Sequence, residues 1–305
     1  MFSALLPSPM PFPSPLIRAA DESLAALLAG PLGDFRHPDG EPALVPADSL
    51  SWRIFKNPVS LFIGGVAAVI LELAHPGVRA GVWEHSSFRR NPEQRLQRTG
   101  LAAMVTVYGA HSVAEAMIAG VRRLHERVNG TLPNGETYSA DDPDLLDWVQ
   151  ATASFGFATA YSVFVRELKG GELDQLYQEA QPAARLYGAA RAPASEAELE
   201  ALFYALGDRL EASPIVFEFL DLMRASHSLP GLLRGLQPLL LRAAVTITPD
   251  WVRDILGLTD AYALRPWEMP IVREAARMSG KVLLPSSPPV QACLRLGLPH
   301  DYLYR

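Results

Sequence analysis

This sequence has a single cysteine and a small net charge. Cys293 is the single cysteine among 305 residues, so the chain can form neither an intrachain disulfide nor a thiolate cluster for zinc or iron–sulfur. We expect a small buried thiol and a reducing compartment. The formal net charge is −6, and the arginines cluster only as the pairs Arg89–Arg90 and Arg122–Arg123. Nucleic-acid binding needs a longer basic stripe, so no nucleic-acid partner is expected.

A secretory signal and a membrane-spanning run are also absent from the pattern. Residues 1–13 are rich in proline and lack a basic start followed by an apolar run, so we expect a flexible N-terminus. The most apolar run, Leu61–Leu71, is interrupted by Glu72 and is shorter than the about 20 residues that span a bilayer. These patterns predict a cytoplasmic protein without a transmembrane segment, and they leave its oligomeric state open.

Hydrophobic residues make up 49% of the chain and charged residues 20%, enough to bury one large core or two modest ones. Apolar residues recur with helical period from Ser14 to Leu296, and no stretch shows the sustained alternation of a strand. We therefore predict an all-α protein with a single globular domain at 1–305. Glycine, proline and aspartate predict a long loop at 33–51.

The apolar run is predicted to form a helix that starts at a cap, Asn57 or Ser60, and ends at His75–Pro76. Its residues are apolar on every side, so this helix should lie in the middle of the domain. Gly64–Gly65 within it is interpreted as a site of close helix packing rather than as a nucleotide-binding motif. An irregular stretch is expected after the helix.

Local signals also predict the next two helices. Pro92 is a first-turn proline that opens a helix through Tyr108. Ser112-x-x-Glu115 predicts a capping box for a following helix that ends near Val128, with Gly130 as its stop. The other helices are predicted at 14–28, 145–168, 172–187, 195–210, 214–225, 230–245, 251–256, 270–278 and 289–296.

Histidines concentrate between His75 and Gly130, where His75, His85, His111 and His125 lie, and this density marks a candidate site. The sequence has no Gly-x-Ser-x-Gly elbow, phosphate-binding glycine loop or His-Glu-x-x-His. An all-α protein with inward histidines can hold a haem, a carboxylate-bridged metal pair, or nothing. The metal pair needs two Glu-x-x-His motifs, which the chain does not supply, whereas haem needs one axial donor and an apolar pocket.

The spacing of the helix after Ser112 places His125 on an apolar stripe with Ala114, Ile118, Val121 and Val128. Spacing alone favours a structural histidine of the core or its boundary there, with metal ligation as the alternative.

The other histidines carry weaker signals. His75 precedes a proline at a helix end, where we expect it to cap carbonyls. His85 lies beside Glu84 and is either near a haem or merely exposed. His37, His227 and His300 lie in loop contexts and indicate no function.

Several segments, in this order, resemble the catalytic domain of the MpaB-type and rubber oxygenases, the latter known as latex-clearing proteins. The resemblance covers roughly Trp52 to Tyr187 well and the remainder loosely. Its segments are Leu-Ala-His75-Pro76, Glu84-His85-Ser86-x-Phe88, Arg95-x-x-Arg98-Thr99, Val-Arg-Arg-Leu-His125-x-x-Val128-x-Gly130 and Tyr138-Ser-Ala-Asp141-Asp-Pro-x-Leu-Leu-x-Trp148-Val149. Such proteins are all-α and hold a b-type haem, and characterised members use dioxygen to cleave an isoprenoid carbon–carbon double bond.

The resemblance implies a haem b site in which His125 is the proximal iron ligand and Arg95 and Thr99 are pocket residues. Arg98 stands where the rubber-cleaving enzymes have a distal lysine. A guanidinium stays protonated and is a poor metal ligand, so the role implied for Arg98 is to pair a haem propionate or to hydrogen-bond oxygen. Glu84 lies near an acidic residue that those enzymes are thought to use for proton abstraction. Without the resemblance, Arg95 and Arg98 would be an ordinary exposed pair.

Two positions depart from the family pattern. Asn129 replaces an arginine often found four residues after the ligand, and Gln150 follows Trp148–Val149 where many relatives have histidine. The sequence predicts a haem-dependent oxygenase that uses dioxygen on an apolar, unsaturated, isoprenoid-like molecule, with oxidative cleavage of the double bond as one possible reaction. The alternative is a non-catalytic all-α protein that binds haem or another small ligand.

Overall fold

Residues 14–226 and 231–305 are described by a computed structural model, and the predicted flexible segment 1–13 and His227 lie outside them. The structure is 65% helix and 2% strand, which confirms the all-α prediction. The described ranges contain these elements: α1 Ser14–Leu27, α2 Leu50–Phe55, α3 Pro58–Ala74, α4 Pro76–His85, α5 Pro92–Tyr108, α6 His111–His125, β1 Asn129–Thr131, β2 Thr137–Ser139, α7 Pro143–Phe164, α8 Glu172–Tyr187, α9 Glu196–Gly207, α10 Pro214–Ala225, α11 Gln237–Ile247, α12 Asp250–Leu256, α13 Met269–Ser279 and α14 Pro288–Arg295. Short 3-10 turns lie at Pro31–Gly33, Gly231–Leu236 and Tyr302–Tyr304.

The apolar helix α3 forms the centre of the core, as predicted. Asn57 caps it, because its side-chain oxygen accepts from the Val59 and Ser60 N–H groups at 3.1 and 3.0 Å. Helix α3 runs along α7 and is surrounded by α4, α10, α11 and α13. A Cβ at Gly64 would lie 2.7 Å from the carbonyl oxygen of Gly156 on α7, so Gly64 permits the close packing that the glycine pair predicted.

The prediction of an irregular stretch after α3 is wrong for the first ten residues, which form α4. Pro76 is the first residue of α4, and the His75 Nδ1 accepts from the Gly77 N–H at 3.2 Å. His75 ends α3 as expected, and its backbone N–H donates to the Glu72 carbonyl oxygen at 3.2 Å, whereas its side chain caps an N–H group at the start of the next helix. Within the described ranges no single helix is long and apolar enough to cross a membrane; α3 and α4 would reach that length only together, and they are bent by 110°.

The start and end of α6 differ from the prediction. The Ser112 side chain does not cap the helix, because its N–H and hydroxyl both donate to the Glu41 carboxylate, at 2.6 and 3.0 Å. The helix ends at His125, and the chain turns into a two-stranded antiparallel hairpin in which Gly130 pairs with Tyr138. A Cβ at Gly130 would lie 2.6 Å from the Tyr138 hydroxyl, so this glycine permits a close approach rather than stopping a helix.

Residues before α2 and after α13 pack together on α5 and α6. Arg295 is buried and donates to the carbonyl oxygens of Phe35, Glu41 and Tyr108, each at 2.8 Å. Cys293 lies in the same apolar cluster, which confirms the expected small buried thiol, and its burial raises the pKa of the thiol to about 11. Within the segment 33–51, residues 34–49 contain no helix or strand, Gly33 ends the first 3-10 turn, and α2 begins at Leu50.

Candidate functional site

His125 is the last residue of α6 and is half-buried, while Ala114 and Ile118 of the predicted stripe are fully buried. Burial lowers the pKa of His125; the charge of Asp141 opposes this, and the charges of Arg95 and Arg122 add to it. The ring is therefore neutral at pH 7, the form that binds metals. Its Nδ1 is buried without a hydrogen-bond partner in the described chain, whereas its Nε2 keeps accessible surface.

Further unsatisfied polar atoms lie around this ring. The hairpin brings the chain back to the residues that follow α6, where the Ala140 N–H donates to the Val128 carbonyl oxygen at 2.8 Å. The next residue, Asp141, therefore lies beside the end of α6. The Arg122 Nη2 lies 3.7 Å from the Asp141 Oδ1, too far for a hydrogen bond. Asp141 Oδ1 and Arg122 Nε are buried without hydrogen-bond partners among the described residues. Buried polar atoms of native proteins are rarely left unpaired, so this cluster calls for an explanation beyond packing.

Helix α5 places Arg95 among these groups. The Arg95 guanidinium contacts the Thr99 hydroxyl, which in turn donates to the Arg95 carbonyl oxygen at 2.9 Å. Burial lowers the pKa of Arg95, and its positive charge affects the titration of both His125 and Glu72. Three residues of the predicted site thus lie on two helices, with Arg95 and Thr99 on α5 and His125 on α6. The two helices are close enough for the charge of Arg95 to act on His125.

Glu72 is a residue that the sequence reasoning missed. It is the one charged residue of α3, and burial raises its pKa to about 7 against the opposing charge of Arg95. Its side chain nevertheless keeps some accessible surface. The signal was present in the sequence, because Glu72 interrupts the most apolar run and forms a single Glu-x-x-His with His75.

The geometry of His75 argues against a metal site built on that motif. Its Nδ1 accepts from the Gly77 N–H, so the proton of the neutral ring sits on Nε2 and leaves no lone pair there for a metal. Burial lowers the pKa of His75 to about 4, which keeps the ring neutral. No group of three or more histidine, cysteine, aspartate or glutamate side chains in the described ranges is arranged to hold a metal ion.

Glu84 lies in a different cluster. The Tyr138 hydroxyl donates to the Glu84 Oε2 at 3.3 Å and lies 3.0 Å from the His85 Nε2. Burial and the Glu84 charge both raise the pKa of Tyr138. Within the described chain no hydrogen bond or ion pair joins Glu84 to His125 or to α5, so Glu84 contacts the hairpin after His125 rather than the Arg95 group.

Three further positions were singled out in the sequence: the predicted site residue Arg98 and the two departures from the family pattern, Asn129 and Gln150. Arg98 is exposed, and it has neither a hydrogen bond nor an ion pair with any described residue. Its charge contributes to lowering the pKa of Arg95. Asn129 is exposed at the start of β1, and the Gln150 Nε2 donates to the Ser154 hydroxyl at 3.3 Å. Neither Asn129 nor Gln150 bonds to His125.

Comparison with known proteins gives one family and two relatives. Residues 52–279 match the family described as ER-bound oxygenase mpaB/B′/Rubber oxygenase, catalytic domain. Uncharacterised proteins of Mycobacterium bovis and Mycobacterium tuberculosis are each 30% identical to the chain over 119 residues, 38% of this chain and 47% of the relative. The chain thus spans about half the length of these curated relatives. No solved structure matches it.

Proposed function

Because the chain belongs to the family of mpaB/B′ and rubber oxygenase catalytic domains, we propose that it is a dioxygen-using oxygenase with haem b as its cofactor. The observation that carries the proposal is the state of His125. Its neutral imidazole offers an accessible, unpaired Nε2 at the position that the family resemblance assigns to the iron ligand. We further propose an apolar, unsaturated, isoprenoid-like molecule as the substrate.

The residues around His125 fit a group that is held by one histidine. Histidine ligands usually donate their second ring N–H to a carboxylate or a carbonyl, which fixes the ring orientation. The Nδ1 of His125 is buried and unpaired, and the Asp141 Oδ1, also buried and unpaired by hydrogen bonds, is near enough for its charge to raise the pKa of the ring. We assign Asp141 the role of orienting His125.

The arginines of α5 supply positive charge for an anionic group. Haem carries two propionates, and planar guanidinium groups bind carboxylates through paired hydrogen bonds. Arg98 is exposed and unpaired among the described residues, so it can bind a propionate without breaking an existing ion pair. The Arg95 guanidinium contacts the Thr99 hydroxyl on the same helix, which limits where the guanidinium can lie. From this position the positive charge of Arg95 lowers the pKa of His125.

Glu72 is the proposed proton carrier of the site. When bound, haem supplies the one-electron and dioxygen chemistry, and the protein must supply any proton transfer. A carboxyl whose pKa is about 7 can hold or release a proton at neutral pH, as general acid–base catalysis requires. Glu72 is therefore favoured over Glu84, whose carboxylate accepts from Tyr138 and has no described link to Arg95.

Oxygen uptake by the haem-loaded protein tests the proposed activity. The substrate probe is squalene, with the saturated squalane as the matched control. We expect uptake with squalene and none with squalane, because only the former has double bonds. If the protein binds haem and consumes no oxygen with squalene or with shorter isoprenoid alkenes, the alternative function, a non-catalytic haem-binding protein, replaces the oxygenase.

A further inference from the structure

A groove with an enclosed volume lies between α7, α8, α9 and α12. Its volume is about 580 Å³, within the range of about 300–1,000 Å³ that is usual for small-molecule sites. None of the residues proposed for the oxygenase site lines it. The groove is therefore a separate feature of the molecule, and the family resemblance assigns nothing to it.

Aromatic side chains form the walls of this groove. The Phe203 ring lies at the centre, 5.5 Å from the Phe155 ring and 6.5 Å from the edge-on Trp251 ring, measured between centroids. Tyr204 is 90% exposed and Trp251 is 39% exposed, although both have large apolar surfaces. Exposed aromatic faces gathered around one cavity commonly mark a binding site for an apolar or cationic group.

Carboxylates alone supply the charge of the groove. Glu196 and Glu200 lie one turn apart on α9, and Asp208 follows the end of that helix. All three are exposed and have no ion-pair partner in the described parts of the chain, and no lysine or arginine lines the groove. Like charges one turn apart destabilise a helix by a few tenths of a kcal/mol, so Glu196 and Glu200 would be stabilised by a bound cation.

We propose that this groove binds a small organic cation with an apolar body, such as an aromatic amine or a quaternary ammonium compound. The aromatic faces attract the cation through their negative quadrupole and cover its apolar part. The carboxylates of Glu196 and Glu200 complement its charge and repel anionic ligands of the same size. The groove volume accommodates one such molecule and is too small for a folded partner.

Calorimetric titration of the full chain with benzyltrimethylammonium tests this inference, with neutral benzyl alcohol as the matched ligand. We expect the cation to bind at least tenfold more tightly than the alcohol. The double variant Glu196→Gln/Glu200→Gln should lose at least tenfold in affinity for the cation, and Tyr204→Ala should also weaken it. Circular dichroism of each variant checks that it is folded.

The control is Glu22→Gln/Asp39→Asn, which removes two exposed carboxylates elsewhere and should bind the cation as the unmodified chain does. Equal binding of cation and alcohol would overturn the inference, as would unchanged affinity in the folded Glu196→Gln/Glu200→Gln variant. An equal loss in the control variant would also overturn it, because net charge rather than the groove would then be responsible. None of these outcomes depends on the oxygenase activity.

Discussion

Burial shifts the pKa values of Glu72 and His75 in opposite directions, although the two residues are only three positions apart. Burial disfavours the charged form of each group, so it raises the pKa of Glu72 to about 7 and lowers that of His75 to about 4. Both residues are therefore largely neutral in the core at moderately acidic pH. Near pH 7 Glu72 begins to ionise, which makes it the group at this end of α3 that exchanges a proton in the physiological range.

The raised pKa of Glu72 predicts a pH-dependent stability. Between its ordinary value of 4.5 and about 7 the folded state binds more protons than the unfolded state, so stability falls as pH rises through this window. Glu72→Gln should therefore be more stable than the unmodified chain at pH 8, by up to about 3 kcal/mol, with the difference vanishing near pH 4.5. Urea denaturation at the two pH values measures it.

The exposed Glu22→Gln variant is the control for this comparison and should show no such pH-dependent gain. A Glu72→Gln variant that is equally less stable at both pH values would show that the carboxylate is ionised in the folded protein, and Glu72 would then be a poor proton carrier.

The residues of the site differ in how far the sequence could predict them. The place of His125 on an apolar stripe and the contact of Arg95 with Thr99 follow from helical spacing, which is local. The pKa of Glu72 could not be predicted, because it is raised by burial that only the packed fold creates and lowered in part by the charge of Arg95, which α5 contributes. Tyr138 was likewise missed as a partner of Glu84 and His85, since the hairpin that positions it is only three residue pairs long.

Helix boundaries were predictable where the capping group is local and not where it is remote. Pro92 was predicted correctly as the start of α5, and Asn57, which caps α3, was one of the two caps predicted for it. Helix α6 is capped by Glu41, which lies 71 residues before Ser112 in the chain, so no local pattern could reveal it. Helix α4 was missed because its cap, His75, is an uncommon capping residue and also ends α3.

The contact of α3 with α7 predicts opposite effects for two neighbouring glycines. Gly64→Ala should destabilise the protein by about 1–3 kcal/mol, because the new methyl group would overlap the Gly156 backbone. Gly65→Ala should be neutral or stabilising by up to about 1 kcal/mol, since the nearest atom there, on the Phe157 ring, would lie at 3.9 Å. Thermal unfolding of the two variants measures the difference. Equal destabilisation by both would show that α3 and α7 are not packed through Gly64.

At the scale of the whole molecule, segments before residue 52 and after residue 279 pack against α5 and α6 in one apolar cluster. The loop before α2 and helix α14 enclose Arg295, whose guanidinium donates to three carbonyl oxygens next to α5. Helical periodicity predicted the all-α class, but it could not predict this arrangement, because the three acceptors lie between 187 and 260 residues from Arg295. We propose that the described chain forms one domain.

A single domain predicts one cooperative transition. Arg295→Met keeps the apolar stem of the side chain but leaves carbonyl groups unpaired, at about 1–3 kcal/mol for each group that water does not reach. We therefore expect the variant to unfold at a lower urea concentration, still in one transition by both tryptophan fluorescence and far-ultraviolet circular dichroism. Two separate transitions in the unmodified chain would contradict the single domain.

The Soret absorption of the purified protein, expressed with a haem precursor, tests the central claim most directly. His125→Ala removes the proposed iron ligand, and His111→Ala removes an exposed histidine from the other end of the same helix. We expect a strong Soret band per protein in the unmodified chain and in His111→Ala, and a much weaker one in His125→Ala with unchanged helical content. A full and unshifted band in His125→Ala would show that another residue holds the haem, and the lack of a band in the unmodified chain would refute haem binding.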